Sequence, residues 1–260
     1  MAEPQPRQRS LRILVLNANS STAMTTGMVA AVEKLSLSDS VEIFSYTAPP
    51  SAPASIDNQE DIDASTKAIL DDAELAKDLA STKYDAVLVA CYSVHSLVAE
   101  LSKYQHLVVT GIFEASITTV LALTPAPLNN DKWGIVTTGK FWEDHLGDGV
   151  KVFLGQDSST ANHKFAGVFT SGLTAGDFHT VSPEEVNAKL EVALAQLFSS
   201  GNVSCVVMGC AGMAGLENTI RTAAIAAYGK ATGEQVYILD GVKAGIFQLQ
   251  QTIRSKQAFR

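Results

Sequence analysis

The sequence predicts an α/β protein built from two copies of a four-stranded parallel βα unit. Three observations carry this. Short apolar runs alternate with amphipathic stretches along the 260 residues, as strands joined by crossover helices require. The apolar runs are nearly unbroken Val, Ile and Leu, which is the composition of strands covered on both faces. The order of features in the first half recurs in the second at a nearly constant spacing.

Taken in order, the strands of the first half are expected at residues 12–16, 41–46, 86–90 and 107–110, and those of the second at 133–136, 166–170, 205–208 and 236–239. Helical periodicity falls between them at 21–35, 62–80, 183–198 and 216–228. Pro125 and Pro127, followed by Asn129 and Asn130, mark a break between the two series. The repeat is visible at the strand ends. Leu14-Val-Leu-Asn17 matches Gly134-Ile-Val-Thr137, with Asn17 and Thr137 120 residues apart. Val87-Leu-Val-Ala-Cys91 matches Val206-Val-Met-Gly-Cys210, with the cysteines 119 residues apart. Thr47 pairs with Ser171, and Gly111 with Gly241, at offsets of 124 and 130. In open parallel sheets ligands bind beyond the carboxyl ends of the strands. If the halves face each other, Cys91 and Cys210 meet across one cleft with Asn17 and Thr137 beside them.

Bulk properties narrow the function. A net charge of −8 argues against a nucleic-acid or anionic-membrane surface. The first ten residues lack an apolar core, so they do not read as a secretory signal, and no run is long enough to span a membrane. Three cysteines do not make a disulfide framework, and the expectation is reduced thiols in the cytoplasm.

Taken singly, Cys91 or Cys210 reads equally as an inert core thiol, and Cys205, inside an apolar run, reads as core. As a pair at strand-to-helix junctions, Cys91 and Cys210 point to proton transfer. A helix N-terminus lowers a thiol pKa toward neutrality, and its free N–H groups can hold an enolate oxygen. One thiolate then removes a proton from a carbon acid, and the opposite thiol returns one to the other face.

Other constellations fall away. Gly209-Cys-Ala-Gly-Met-Ala-Gly215 follows a strand but has the wrong spacing for a dinucleotide turn, and there is no Walker A sequence. None of the five histidines makes a metal-ligand pair, so a zinc site is not expected. Asp144-His145 reads as solvated surface. His95, four residues after Cys91, reads either as a helix-surface or core histidine or as a ligand contact. The Pro-rich segment 48–56 is a candidate lid or specificity loop at the end of the second strand.

Several of these segments together resemble a known family. Leu16-Asn-Ala-Asn-Ser-Ser21 with Met24-Thr25 resembles the opening motif of the Asp/Glu/hydantoin racemase superfamily. Pro53-Ala-Ser-Ile56 resembles its P-x-S-I loop, Ala90-Cys-Tyr-Ser93 and Gly209-Cys-Ala-Gly-Met213 its two cysteine motifs, and Gly111-Ile-Phe-Glu-Ala115 its G-I-x-E-A motif. The order and spacing resemble the hydantoin/allantoin racemase branch, and Cys91-Tyr-Ser-Val-His-Ser-Leu-Val98 is most similar to its fungal, Dcg1-like proteins.

The resemblance implies two flavodoxin-like domains, at 1–116 and 117–240, with a C-terminal helix at 241–260 packing back on the first and the active site in the cleft. It implies cofactor-independent racemisation of a hydantoin-type ring, with Cys91 and Cys210 as the bases. By motif position Asn17, Ser93, Thr137, Thr138 and Gly212 bind the substrate's polar edges. Tyr46, Ser55, Ile56 and His95 are the candidate specificity residues. The expected partners are a small-molecule substrate and further copies of the chain. Ala18 replaces the family's proline, and Val94-His95 replaces its common Asp-Pro, so the substituent on the ring stays open. Allantoin, with a polar ureido arm that His95 or Ser96 can meet, is favoured over alkyl hydantoins. The alternatives are an amino-acid racemase of the same superfamily and a non-catalytic metabolite-binding protein. Decarboxylases of this superfamily use a single cysteine, so the pair argues against them.

Overall fold

The structure is a computed structural model and describes residues 9–35, 37, 41–124, 131–157 and 159–260. The expected break at Pro125 to Asn130 lies outside them.

Eight strands form two parallel four-stranded sheets. The first holds β1 (Leu11–Asn17), β2 (Val41–Thr47), β3 (Ala86–Val89) and β4 (Val108–Gly111), in the order β2-β1-β3-β4. The second holds β5 (Lys132–Thr137), β6 (Phe165–Thr170), β7 (Val203–Met208) and β8 (Tyr237–Asp240), in the order β6-β5-β7-β8. The two orders are the same flavodoxin-type winding, so the repeat in the sequence is a repeat in topology. The central strands explain why the apolar runs are unbroken. Ile13 to Leu16 and Ala86 to Val89 are almost wholly removed from water, as strands with helices on both faces must be.

The helices between them are α1 (Thr22–Glu33), α2 (Gln59–Leu70), α3 (Ala73–Ala80), α4 (Ser96–Leu101), α5 (Ile112–Leu123), α6 (Phe141–Phe153), α7 (Asp177–Thr180), α8 (Pro183–Ser199), α9 (Glu217–Tyr228), α10 (Lys230–Gly233) and α11 (Gly241–Ala258). One expected helix, 62–80, is two. Asp72 caps α3 by accepting from the Glu74 and Leu75 N–H groups, each at 3.0 Å. A short acidic side chain that bonds nearby backbone competes with helix continuation, and here it breaks an otherwise continuous apolar stripe.

The last helix returns to the first sheet. Asp240 caps α11 through the Val242 and Lys243 N–H groups at 2.8 and 3.1 Å. The helix then lies so close to β3 that a Cβ on Gly245 would stand 2.3 Å from Leu88. α5 runs unbroken across residue 116, from the end of the first sheet toward the second. Among the described residues no helix is long and apolar enough to cross a membrane.

Candidate active site

In each sheet the chain leaves the two central strands in opposite directions, which opens a crevice at their carboxyl ends. In the first sheet that crevice lies between β1 and β3, where Leu16 is in register with Val89; in the second it lies between β5 and β7, where Val136 is in register with Met208. Cys91 stands two residues beyond Val89 and Cys210 two beyond Met208. Both half-buried thiols line one cavity between the halves, together with Asn19, Met24, Ile56, Thr138, Trp142 and Ala175 among others. Glycine makes the second turn possible. A Cβ on Gly209 would stand 2.6 Å from Ile135 and 2.7 Å from Thr137.

The thiols are held differently from the expectation. Cys91 is not at a helix N-terminus. Residues 92–95 form a turn, and α4 begins only at Ser96. Cys210 caps a single 3-10 turn, Ala211–Met213, and α9 starts later, at Glu217. Each sulfur has a close donor, and the Met213 N–H also acts on Cys210. The Ser93 hydroxyl approaches Cys91 Sγ at 3.4 Å, and the Gly212 N–H approaches Cys210 Sγ at 3.4 Å. Neither offsets the loss of water. Burial pushes Cys91 up to about 11 and Cys210 up to about 12. The charge of Asp57 acts on both in the same direction, and the two sulfurs lie close enough for Cys91 to raise Cys210. The expected lowering toward neutrality is therefore overturned: without a full helix dipole, desolvation decides. The Gly212 N–H faces the sulfur, so it is placed to stabilise a thiolate.

Several expected site residues are drawn into the scaffold instead. The Asn17 amide donates to Asn19 Oδ1, the Ser21 carbonyl and Thr25 Oγ1, all at 3.0 Å, and its Oδ1 accepts the Asn19 N–H at 3.2 Å. Fully buried, Asn17 folds the β1–α1 turn, and the side chain that reaches the cavity is Asn19. Thr137 donates to the Gly209 carbonyl at 2.6 Å and ties β5 to the cysteine turn, while Thr138 lines the cavity. Ser93 and Gly212 act through the sulfurs they bond. Tyr46 turns away and donates to Asp72 Oδ2 at 2.7 Å. His95 is also outside the cavity. Its Nδ1 accepts the Leu97 N–H at 3.3 Å as the cap of α4, and its Nε2 lies 3.5 Å from Ser65 Oγ. Burial pushes its pKa down to about 4, and its side chain does not line the cavity between the thiols. Ile56 does line the cavity; Ser55, beside it, has a buried hydroxyl with no hydrogen-bond partner among the described residues. Asp144-His145 is not plain surface either. His145 Nε2 accepts the Val94 N–H at 3.2 Å across the two halves, and its ring packs on Trp142.

Sequence reasoning missed three neighbours of the thiols. Trp142 closes one side of the cavity. Asp57, one residue past the expected loop, accepts the Ala175 N–H at 3.4 Å. Glu114, third residue of α5, folds back so tightly that a Cβ on Gly111 would stand 2.2 Å from its Oε2. Burial pushes Glu114 up to about 7, and its charge raises Cys91. The Gly111-x-x-Glu114 spacing of a capping box was the available signal for Glu114.

The cavity is small, about 30 Å³, enough for a water or two and too small for a ring. A hollow of about 470 Å³ at the opposite end of the first sheet, lined by Arg9, Asp85, His106 and Arg254, is larger but holds no thiol. Both thiols line the small cavity.

Comparison with known proteins agrees with this geometry. Residues 13–249 match the family model described as Asp/Glu/Hydantoin racemase. The chain is 30% identical over 244 residues to the uncharacterized protein C1F7.10 of Schizosaccharomyces pombe, covering 94% of this chain and 92% of that one. It is 28% identical to Protein DCG1 of Saccharomyces cerevisiae, covering 80% and 85%. In fold it is similar to the allantoin racemase of Pseudomonas fluorescens, with a TM-score of 0.72 and 23% identity over 95% of this chain and 92% of that one. With its repeated sheets and its paired thiols, the chain belongs to the Asp/Glu/hydantoin racemase family, among its Dcg1-like members.

Proposed function

We propose that this protein is a cofactor-independent isomerase that interconverts the enantiomers of a hydantoin-type ring, allantoin foremost, by proton transfer between two thiols. The observation that carries the reading is the pair itself. Cys91 and Cys210 enter one cavity from equivalent strand ends, each with a hydrogen-bond donor at its sulfur. In the working form one sulfur is a thiolate and the other a thiol. The thiolate takes the proton of the ring's stereogenic carbon, and the electrons of that C–H bond move onto the adjacent carbonyl as an enolate. The opposite thiol delivers its proton to the other face. The carbon is inverted, the sulfurs have exchanged roles, and no co-reactant is consumed.

The lining favours a neutral ring over an amino acid. Met24, Ile56, Trp142 and Ala175 are apolar, Asn19 and Thr138 are neutral, and among the described residues no lysine or arginine lines the cavity to hold a free carboxylate. A ring must open the cleft to enter. Closing then strips water from a weak carbon acid and from the thiolate that attacks it.

Single-enantiomer allantoin and 5-alkylhydantoins incubated with the protein in deuterium oxide provide the test. Loss of optical rotation together with deuterium uptake at the stereogenic carbon is expected. No exchange above the spontaneous rate with any of these rings overturns the reading.

A further inference from the structure

Asp57 joins the loop after β2 to α2 and lies between two residues that line the cavity, Ile56 beside it and Ala175 across the cleft. Its backbone N–H donates to Asp61 Oδ2 at 2.9 Å, which fixes the loop to the first turn of α2. Its Oδ1 accepts the Ala175 N–H at 3.4 Å, a link between residues 118 apart in the chain. Among the described residues Oδ2 receives no hydrogen bond, and no cation pairs with the carboxylate. The same loop carries the buried, unpartnered hydroxyl of Ser55.

A carboxylate here works against the reaction, because it opposes both a thiolate and an enolate. Closing the cleft over a ligand strips water from the open lone pairs of this half-buried carboxylate, which costs free energy unless something donates to it. Both costs are offset if the substrate brings the donors. A ureido arm does so, with neighbouring N–H groups in a plane that match the two oxygens of a carboxylate. An alkyl arm brings none, and an arm bearing a carboxylate meets like charge.

We infer that Asp57 is the specificity-determining residue of this site, accepting the N–H donors of a neutral ureido-type substituent and turning away anionic ones. The inference rests on the racemase reading and gives its substrate class. It moves the selective contact from His95, which caps a helix, to the β2–α2 loop of the same half.

The test measures kcat and KM by polarimetry for allantoin, a 5-alkylhydantoin and hydantoin-5-acetate, with the intact protein, Asp57→Asn and Asp57→Ala. Asp57→Ala is expected to lose about tenfold or more in kcat/KM for allantoin relative to the alkylhydantoin, mainly through KM. Asp57→Asn, of the same shape and with one acceptor oxygen, falls between. Hydantoin-5-acetate, rejected by the intact protein, gains about tenfold in Asp57→Asn. Equal changes for all three rings in both variants reduce Asp57 to a latch and overturn the inference. If the intact protein racemises none of the three, the racemase reading itself is overturned.

Discussion

The two halves of the molecule repeat their strands faithfully and their cysteine turns poorly. In the first half, β3 ends in a turn and the donor to Cys91 is a side chain, the hydroxyl of Ser93. In the second, β7 ends in a 3-10 turn and the donor to Cys210 is backbone, the N–H of Gly212. The acid at the first site is the buried Glu114 of α5, and it acts on Cys91. Topology therefore sets where the sulfurs stand, and local turns set how each is tuned. A racemase needs equal access to both faces of its substrate and does not need chemically identical bases, so unlike donors at matched positions suffice.

The sharpest way to break this comparison is to remove each sulfur in turn. Cys91→Ser and Cys210→Ser are each expected to cut racemisation by about 10³-fold or more, because a serine hydroxyl is a far weaker acid than a thiol and so neither ionises to a base nor gives up its proton readily. Each variant keeps one thiol, on one face. Deuterium exchange without inversion should then survive for one enantiomer in Cys91→Ser and for the other in Cys210→Ser. Exchange measured on both enantiomers by NMR checks this, and full-rate racemisation by either variant refutes the two-thiol mechanism.

The donors come next. Ser93→Ala deletes the hydrogen bond to Cys91 and leaves its backbone in place. A hydrogen bond to a charged group contributes about 1.5–3 kcal/mol, so kcat/KM should fall about ten- to a hundredfold. The donor to Cys210 cannot be deleted by mutation, only displaced. In Gly212→Ala the new Cβ would lie 3.1 Å from Phe178 and 3.3 Å from the Ala175 carbonyl, so the turn or these neighbours must give by a few tenths of an ångström beside the sulfur. A loss of similar size is expected. Because enantiomers are equal in free energy, kcat/KM must fall equally in both directions, and deuterium exchange from each enantiomer separates the two sites: Ser93→Ala should slow exchange of the enantiomer that Cys91 deprotonates and Gly212→Ala that of the other.

The pH profile tests both sites at once. Burial raises both thiols above their ordinary range, so the pair is doubly protonated at neutral pH and the reactive monoanion is scarce. A base with a raised pKa gains activity as pH rises. For the free protein kcat/KM should therefore climb about tenfold per pH unit between roughly pH 6 and 9, after subtraction of the spontaneous rate. A plateau beginning near pH 7 would place the first thiol below its ordinary range and would overturn burial as the dominant influence.

What was legible in the sequence follows the same division. Strand positions, the repeat and the two cysteines were readable because buried parallel strands impose continuous apolar runs that end at the same topological point. The direction of single polar side chains was not. Asn17 and Asn19 are both in the opening motif, and only the three-dimensional turn decides that Asn17 is consumed by backbone and hydroxyl partners while Asn19 faces the cavity. The expected acidity of the thiols failed for a similar reason. A strand followed by small residues looks like a helix N-terminus in sequence, yet one intervening turn removes most of the dipole and leaves burial in charge.

His95 shows how far such a reassignment reaches, and it carries the smallest expected effect. As the cap of α4 it contributes about 1 kcal/mol of stability and nothing direct to turnover. His95→Asn, which keeps a capping acceptor, should leave stability near that of the intact protein, whereas His95→Ala should lower it by about 1 kcal/mol in urea unfolding. The pH dependence has a definite sign. The folded pKa is pushed down to about 4 from an ordinary 6.5, so the unfolded chain takes up this proton first. The stability due to a neutral His95 is complete above about pH 6.5 and drains away as pH falls toward 4. In His95→Asn that acid-side loss should be smaller, and allantoin selectivity should stay within about twofold of the intact protein. A large selectivity change in His95→Asn, with stability intact, would return the specificity contact to this histidine and away from Asp57.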